Sequence, residues 1–423
     1  MPNAQAFALV EQLADIDSLL VAPGQPENVV HPFGSLAVVD LPGPAPRFRE
    51  VFERAAAALH ACFNLSAGPA TRLSMFDAGD DQPTLLFWVV NHLVVDGVSW
   101  RVLLEDLEGA YRQAARGLRP TLPPKTTSFQ EWARRLEKHA LDPTLEAELS
   151  WWRQEVEAPS YHLPLDHPDR ENTGASARLV SVSLDVDETR ALLQEVPAVY
   201  RTQINDVLLT ALARALAGPG RALLVELEGH GREEIFDGVD LSRTVGWFTS
   251  LFPVRLEAGP AGDPGAALRG VKEHLRAVPR RGIGYGLLRW LRGGDAATRE
   301  LRSLPQPALS FNYLGQFDGT VSASSFFAVA SHVIGAGHSV RGRRMSQITV
   351  DSIVTGGRLR INWNFSENLH ERSTVEVWAE ELLARLRELI VCCREAAARR
   401  IAGYTPSDFP LAGVGQPELD RLL

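Results

Sequence analysis

LLFWVVNHLVVDGVSWRVLLEDLEGAYRQA, residues 85–114, places the two kinds of element that recur along the chain side by side. Leu85–Val90 is an unbroken apolar run of strand length, as expected of a strand buried on both faces. From Val98 onward the apolar residues return at helical spacing. Between strand and helix lies Asn91-His92-Leu93-Val94-Val95-Asp96-Gly97. A strand that ends in a histidine fixes an imidazole, and a turn at Asp96-Gly97 brings backbone groups close to it, which suits a general base. The structural alternative is a satisfied core histidine, followed by Asp96 as a helix N-cap supported by Ser99. Asp96 and Gly97 are read as structural in either case, Asp96 orienting the turn and pairing with an arginine.

Outward from this stretch, strands and helices alternate. GSLAVVD (34–40) reads as a strand and PRFREVFERAAAALHAC (46–62) as a helix, then TRLSMFD and PTLLFWVVNH as strands around the turn-rich AGDDQ. SFQEWARRLEKHA and TLEAELSWWRQEVE carry helical periodicity. PSYHLPLDHPDRENTGAS (159–176) is rich in Pro, Asp, Asn and Gly and lacks apolar periodicity, so it is expected to be a linker. A second series follows it, with strands at ARLVSVSLDV, RALLVELEG, WFTSLFPVRL, ALSFNYL, SQITVDSIV and RLRINWNFS. Helices are expected at DETRALLQEV, INDVLLTALARALA and TVEVWAEELLARLRELIVCC. The prediction is an α/β fold with mixed sheets in two lobes, 1–165 and 166–423. No fixed-period repeat is present, which excludes solenoids and propellers.

Composition narrows the function. The 423 residues carry a formal net charge of -9, against the clustered Lys and Arg that nucleic-acid binding needs. The three cysteines are Cys62, Cys392 and Cys393, without metal-ligand spacing, so neither a disulfide framework nor a metal site is expected. With no apolar run of about 18 residues and no leader-like start, a cytoplasmic protein is expected, with no membrane partner.

Two further segments carry chemistry. Val225-Glu226-Leu227-Glu228-Gly229-His230-Gly231-Arg232-Glu233 ends a strand in a glycine-flanked turn holding a carboxylate, an imidazole and a guanidinium. Moving a proton off a carbon and returning it to the opposite face needs a group on each side, and a His with a Glu meets that need. The alternative is a solvated charged loop. Phe311-Asn312-Tyr313-Leu314-Gly315 offers an amide and a phenol that could bond an oxygen gaining charge in an enolate. Its alternative is a half-buried sheet surface. Gly282-Ile283-Gly284-Tyr285-Gly286 follows VPRR instead of a hydrophobic strand and is not read as a nucleotide loop. Gly335–Ser339, lying between strands, is not read as a carrier serine site. His162 and His167 are read as loop residues, and Arg341–Arg344 as a solvated loop or a contact for an acidic partner.

Taken together, these segments resemble the epimerization domains of nonribosomal peptide synthetases, within the chloramphenicol-acetyltransferase-like superfamily. The resemblance runs through HLVVDGVSWRVLLED (92–106), SFQEWA (128–133), LEGHGREE (227–234), VDLSRTVGWFTSLFPV (239–254), RGIGYGLLRWL (281–291), FNYLGQFD (311–318) and GYTPSDFPLAG (403–413). It implies a V-shaped pair of acetyltransferase-like lobes with a tunnel between them. It also implies L-to-D epimerization of the α-carbon of an aminoacyl or peptidyl thioester. His92 and Glu228 match the family's proton-transfer residues, and Asn312 and Tyr313 match residues of the same pocket. His230 and Arg232 belong to the same motif. No intrinsic cofactor is implied, since the substrate hangs on the 4'-phosphopantetheine of a peptidyl carrier protein, fused or in trans, beside neighbouring synthetase domains. Asn91 stands where the family has its first histidine. The segment before VVDLPGP is short, so the N-terminal lobe is expected to be shortened, without its first strand and helix. A condensation domain, joining two carrier-bound units, would use the same histidine, though EGHGRE and NYLGQ weigh against it. A catalytically silent carrier-docking domain is the remaining reading, supported by Asn91 and the short N-terminal segment.

Overall fold

Along Ile348–Thr355 the side chains of Ile348, Val350, Ser352 and Val354 are buried and those between them are not. This period of two puts one face of the strand in a core and leaves the other free for chemistry. The computed structural model describes residues 7–11, 36–40, 45–60, 63–77, 84–316, 327–329, 341–399, 403–413 and 415–422. The described strands are β1 (Phe7–Glu11), β2 (Leu36–Asp40), β3 (Thr71–Asp77), β4 (Leu85–Val90), β5 (Ala177–Ser183), β6 (Ala222–Gly229), β7 (Ser250–Glu257), β8 (Leu309–Gln316), β9 (Phe327–Val329), β10 (Ile348–Thr355) and β11 (Arg358–Ser366).

The chain divides into two units. The first comprises Met1–Phe129, Gly238–Phe248 and Gly319–Gly342, and the second Gln130–Asp237, Thr249–Asp318 and Arg343–Leu423. The first holds a mixed sheet of order β2-β3-β4-β1-β9, in which only β3 and β4 pair antiparallel. Phe52, from the helix Ala45–His60, meets Phe76 and Phe87 edge-on at 4.9 and 5.7 Å between ring centroids, closing that core. The second unit holds the sheet β5-β11-β10-β8-β6-β7, with β10, β8 and β6 parallel and the outer pairs antiparallel.

The larger core explains why β10 and β11 form as a hairpin. Leu359, Ile361, Trp363 and Phe365 are fully buried, and each large apolar side chain contributes about 1.5–3 kcal/mol by leaving water. The turn between the strands is Gly356-Gly357 at φ 58° and 69°, the double positive φ that a two-residue hairpin loop requires. The helices Ile204–Leu216 and Arg372–Ala398 contribute to the same core.

Most expected elements are present; the following features differ. Phe7–Glu11, in a segment where the sequence pattern predicts no strand, pairs in parallel with both β4 and β9. Residues 159–176 are no linker: Tyr161 N donates to Ala222 O at 2.6 Å and Asp166 N to Leu369 O at 3.0 Å, so the segment is tied into the second unit. Its Pro, Asp and Asn content reflects irregular backbone, which here is ordered by hydrogen bonds. The units therefore meet in sequence at Phe129/Gln130 rather than at one boundary near 165, and Gly238–Phe248 belongs to the first unit although residues on both sides belong to the second. The Gly335–Ser339 segment, the AGDDQ turn and Cys62 lie outside the described residues. No helix among the described residues is long and apolar enough to cross a membrane.

Candidate active site

In the first unit, β4 ends at Val90 and Asn91 begins a short turn over His92–Val94. The Asn91 side chain accepts from Leu93 N at 3.0 Å and is buried, so this residue serves as the cap of the turn that carries His92. Asp96 then caps the helix Gly97–Ala114: one carboxylate oxygen accepts from Ser99 N at 2.7 Å, the other from Phe248 N at 3.1 Å. Ser99 Oγ donates to Gly246 O at 3.0 Å and accepts from Gly246 N at 3.1 Å. Asp96 thus caps its own helix and fastens a distant segment as well. His92 is half-buried, with its ring centroid 4.8 Å from that of Trp247.

In the second unit, the core-free face of the sheet carries a polar row set by strand register. Glu228 on β6 follows Leu227, which pairs with Phe311, and therefore neighbours Asn312 on β8. Asn312 pairs with Asp351 on β10, Asp351 with Asn362 on β11, and Asn362 with Ser181 on β5. Asn312 Nδ2 donates to Glu228 Oε2 at 2.6 Å, and Ser181 Oγ donates to Asn362 Oδ1 at 2.7 Å.

The electrostatics of this row centre on Glu228. Water reaches its side chain, yet protein crowds the carboxyl enough to weaken its hydration. That desolvation, with the charges of Asp351 and Glu226, pushes Glu228 up to about 7, against the stabilising Asn312 bond. Burial pushes Asp351 up to about 6, so it ionises first and Glu228 must ionise beside it. A carboxyl balanced near neutral pH can both take and give a proton, the requirement for acid–base work at carbon.

The rest of the motif is turn architecture. Arg232 N donates to His230 Nδ1 at 3.1 Å, His230 Nε2 lies 3.5 Å from Glu233 and Arg281 lies 3.6 Å from Glu233. Tyr313, next along β8, is partly buried against the core and pairs with Ser352, so it does not share the Asn312 face. The 282–286 glycines serve packing: a Cβ on Gly282 would sit 2.0 Å from Phe252, and one on Gly284 2.1 Å from Glu148. Arg343 pairs with Glu171 at 2.8 Å and His167 lies 3.9 Å from Glu371, both as loop contacts of the second unit.

Two residues of interest do not stand out in the sequence. Asp351 occupies an ordinary outward position of an alternating strand in ITVDSIV, and only register reveals its neighbour Asn312. Trp247 falls in the WFTSLFPVRL strand pattern, but β7 starts at Ser250. Its signal is a large aromatic that follows a glycine and stands three residues before a strand.

The condensation-domain family model matches residues 49–400. A linear gramicidin synthase protein of Brevibacillus parabrevis is 46% identical over 373 residues, covering 87% of this chain and 5% of that protein. Surfactin synthase subunit 1 of Bacillus subtilis (strain 168) is 36% identical over 393 residues, covering 92% of this chain and 11% of that protein. The chain thus spans a small fraction of the length of these relatives. Among solved structures, the epimerization domain from the third module of tyrocidine synthetase B matches with a TM-score of 0.75 and 34% identity, over 84% of this chain and 79% of that one. The X-domain from teicoplanin biosynthesis, at 17% identity and a TM-score of 0.58 over 88% of this chain and 81% of that one, shares the fold.

Proposed function

This chain belongs to the condensation-domain family, and within it we propose that it epimerizes the α-carbon of an aminoacyl or peptidyl thioester presented by a carrier protein. The observation that carries this reading is Glu228, a carboxyl pushed up to about 7 and hydrogen-bonded by Asn312. Acyl transfer between two carrier-bound units has no need of an acid–base carboxyl at this position, whereas deprotonation at carbon followed by reprotonation does. Likeness to the tyrocidine synthetase epimerization domain supports the same choice.

In the proposed chemistry, one group takes the α-proton, leaving an enolate of the thioester, and a second returns a proton to the opposite face. His92 and Glu228 are the proposed pair. Each such general acid–base contribution is worth about 10²–10⁴ in rate. Asn312 assists by holding the Glu228 carboxylate, and Tyr313 supports β8 from the core side. The 4'-phosphopantetheine arm of the carrier belongs to the substrate.

The test uses L-alanyl, L-leucyl and L-phenylalanyl thioesters on a carrier protein in deuterated buffer, followed by Cα label and the L/D ratio. Label with D product is expected. A peptide bond formed between two loaded carriers, with no label, would establish condensation instead. His92→Ala and Glu228→Gln should each abolish most exchange without unfolding the chain.

A further inference from the structure

Imidazoles that move protons are usually oriented by a hydrogen bond that the non-reacting ring N–H donates, most often to a carboxylate or a carbonyl. His92 lacks that device: its Nδ1 is buried and has no hydrogen-bond partner among the described residues. The ring instead meets Trp247, at 4.8 Å between centroids and 42° between planes. We propose that Trp247 is the positioning residue of His92, its indole fixing the imidazole where a hydrogen bond would otherwise do so.

The segment that carries Trp247 is held as such a task requires. Arg243 reaches Asp106 at 2.5 Å and Glu105 at 3.0 Å. Thr244 Oγ1 donates to Thr127 O at 2.6 Å. Gly246 and Phe248 are held by Ser99 and Asp96, and the Phe248 ring meets Phe129 edge-on at 5.0 Å. Every one of these anchors lies within the first unit. Between the buried Gly246 and Phe248, Trp247 is 42% exposed, an unusual position for so large an apolar side chain unless its contact is used. Asp96 and Ser99 thereby act on His92 twice: they start the helix behind it and they pin the loop that presents the indole.

The inference rests on the assignment of His92 to proton transfer, and two readouts keep them separable. The first is 13C relaxation of the His92 imidazole Cε1–H in the full chain. It should report a rigid ring in the native protein and in Trp247→Phe, and a mobile ring in Trp247→Ala; a ring that stays rigid in the alanine variant overturns the inference. The second is Cα exchange on the L-phenylalanyl carrier protein. Trp247→Ala should lower turnover roughly 10- to 100-fold, the size expected of a displaced catalytic group, with KM for the carrier changed by less than about two-fold. Where His92→Ala abolishes exchange, unchanged turnover in Trp247→Ala, or a loss confined to KM, overturns the inference. Adding Trp247→Ala to His92→Ala should reduce exchange no further, and a multiplied loss also overturns it. If the ring loosens while His92→Ala exchanges normally, the positioning contact stands and the catalytic assignment of His92 falls. Trp247→Leu, with apolar bulk and no aromatic face, gives the same readouts should the alanine variant unfold.

Discussion

Asn312 donates its side-chain amide to Glu228 at 2.6 Å, while Asp351, one strand further along the same row, places a second carboxylate against the pair. The two neighbours act in opposite directions. The amide favours the charged form of Glu228, and the Asp351 carboxylate disfavours it. Asn312→Leu should therefore move the Glu228 midpoint above about 7, and Asp351→Asn should move it below. Carbon-13 titration of the Glu228 carboxyl reads both shifts directly, each expected at about half a unit to one unit. If ionised Glu228 is the base for one direction of exchange, the acid-side limb of the pH–rate profile follows the same signs. Shifts in the same direction for both variants would contradict this account.

The same raised carboxyls set a pH dependence of stability. In the unfolded chain Glu228 and Asp351 would ionise at their ordinary values of 4.5 and 3.8; in the fold they hold their protons to about 7 and about 6. Between those limits the folded chain binds more protons than the unfolded one, so their contribution to stability falls as pH rises from about 4 to about 7. It is flat above that range. Glu228→Gln keeps the shape and removes the titration. Its melting temperature should exceed that of the native chain at pH 8 and approach it at pH 4. An equal change at both pH values would mean that Glu228 titrates as an ordinary exposed carboxylate.

Strands are legible in the sequence where a face is buried. ITVDSIV and RLRINWNF alternate because one side meets the core, and the sheet of the second unit follows from that pattern. The three residues of β9 are too few to show a period, and β1 stands in a segment without flanking strand signals. The stretch 159–176 misleads because Pro, Asp and Asn mark irregular backbone, whether that backbone crosses a boundary or is stitched into a core. His92, Glu228 and Asn312 are visible as motif residues, the first two at or near a strand end and Asn312 midway along β8. Asp351 and Trp247 are not, because their roles depend on register and on a loop returning from more than a hundred residues away.

Asn91 offers a clean separation of structure from chemistry. Its side chain caps the His92 turn, so Asn91→Ala should lower stability by about 1 kcal/mol, measured by urea unfolding. Asn91→Ser, which retains a capping oxygen, should recover most of that loss. Asp96 is more heavily used, receiving two backbone N–H groups in a buried position. Removing a buried acceptor strands both donors, and Asp96→Ala should cost about 3 kcal/mol, well above the Asn91 change. Equal effects at the two positions would place Asp96 among ordinary helix caps.

Gly246 tests how tightly the Trp247 segment is seated. A Cβ on this residue would lie 2.3 Å from Phe129 Cδ2 and 2.8 Å from Cγ, well inside contact distance, and both rings of the Phe129–Phe248 pair are held. No positive φ is involved, so the cost of Gly246→Ala is steric alone, of the order of 1–3 kcal/mol for an overpacked site. Shrinking the obstacle should relieve it. In the Gly246→Ala background, Phe129→Leu should restore part of the stability, whereas the same change in the native chain should only lose it. That sign reversal, read from a double-mutant cycle of urea midpoints, is the signature of direct contact. Additive losses would mean that the segment accommodates the methyl group by moving, and Trp247 would then rest on a looser support than its hydrogen bonds imply.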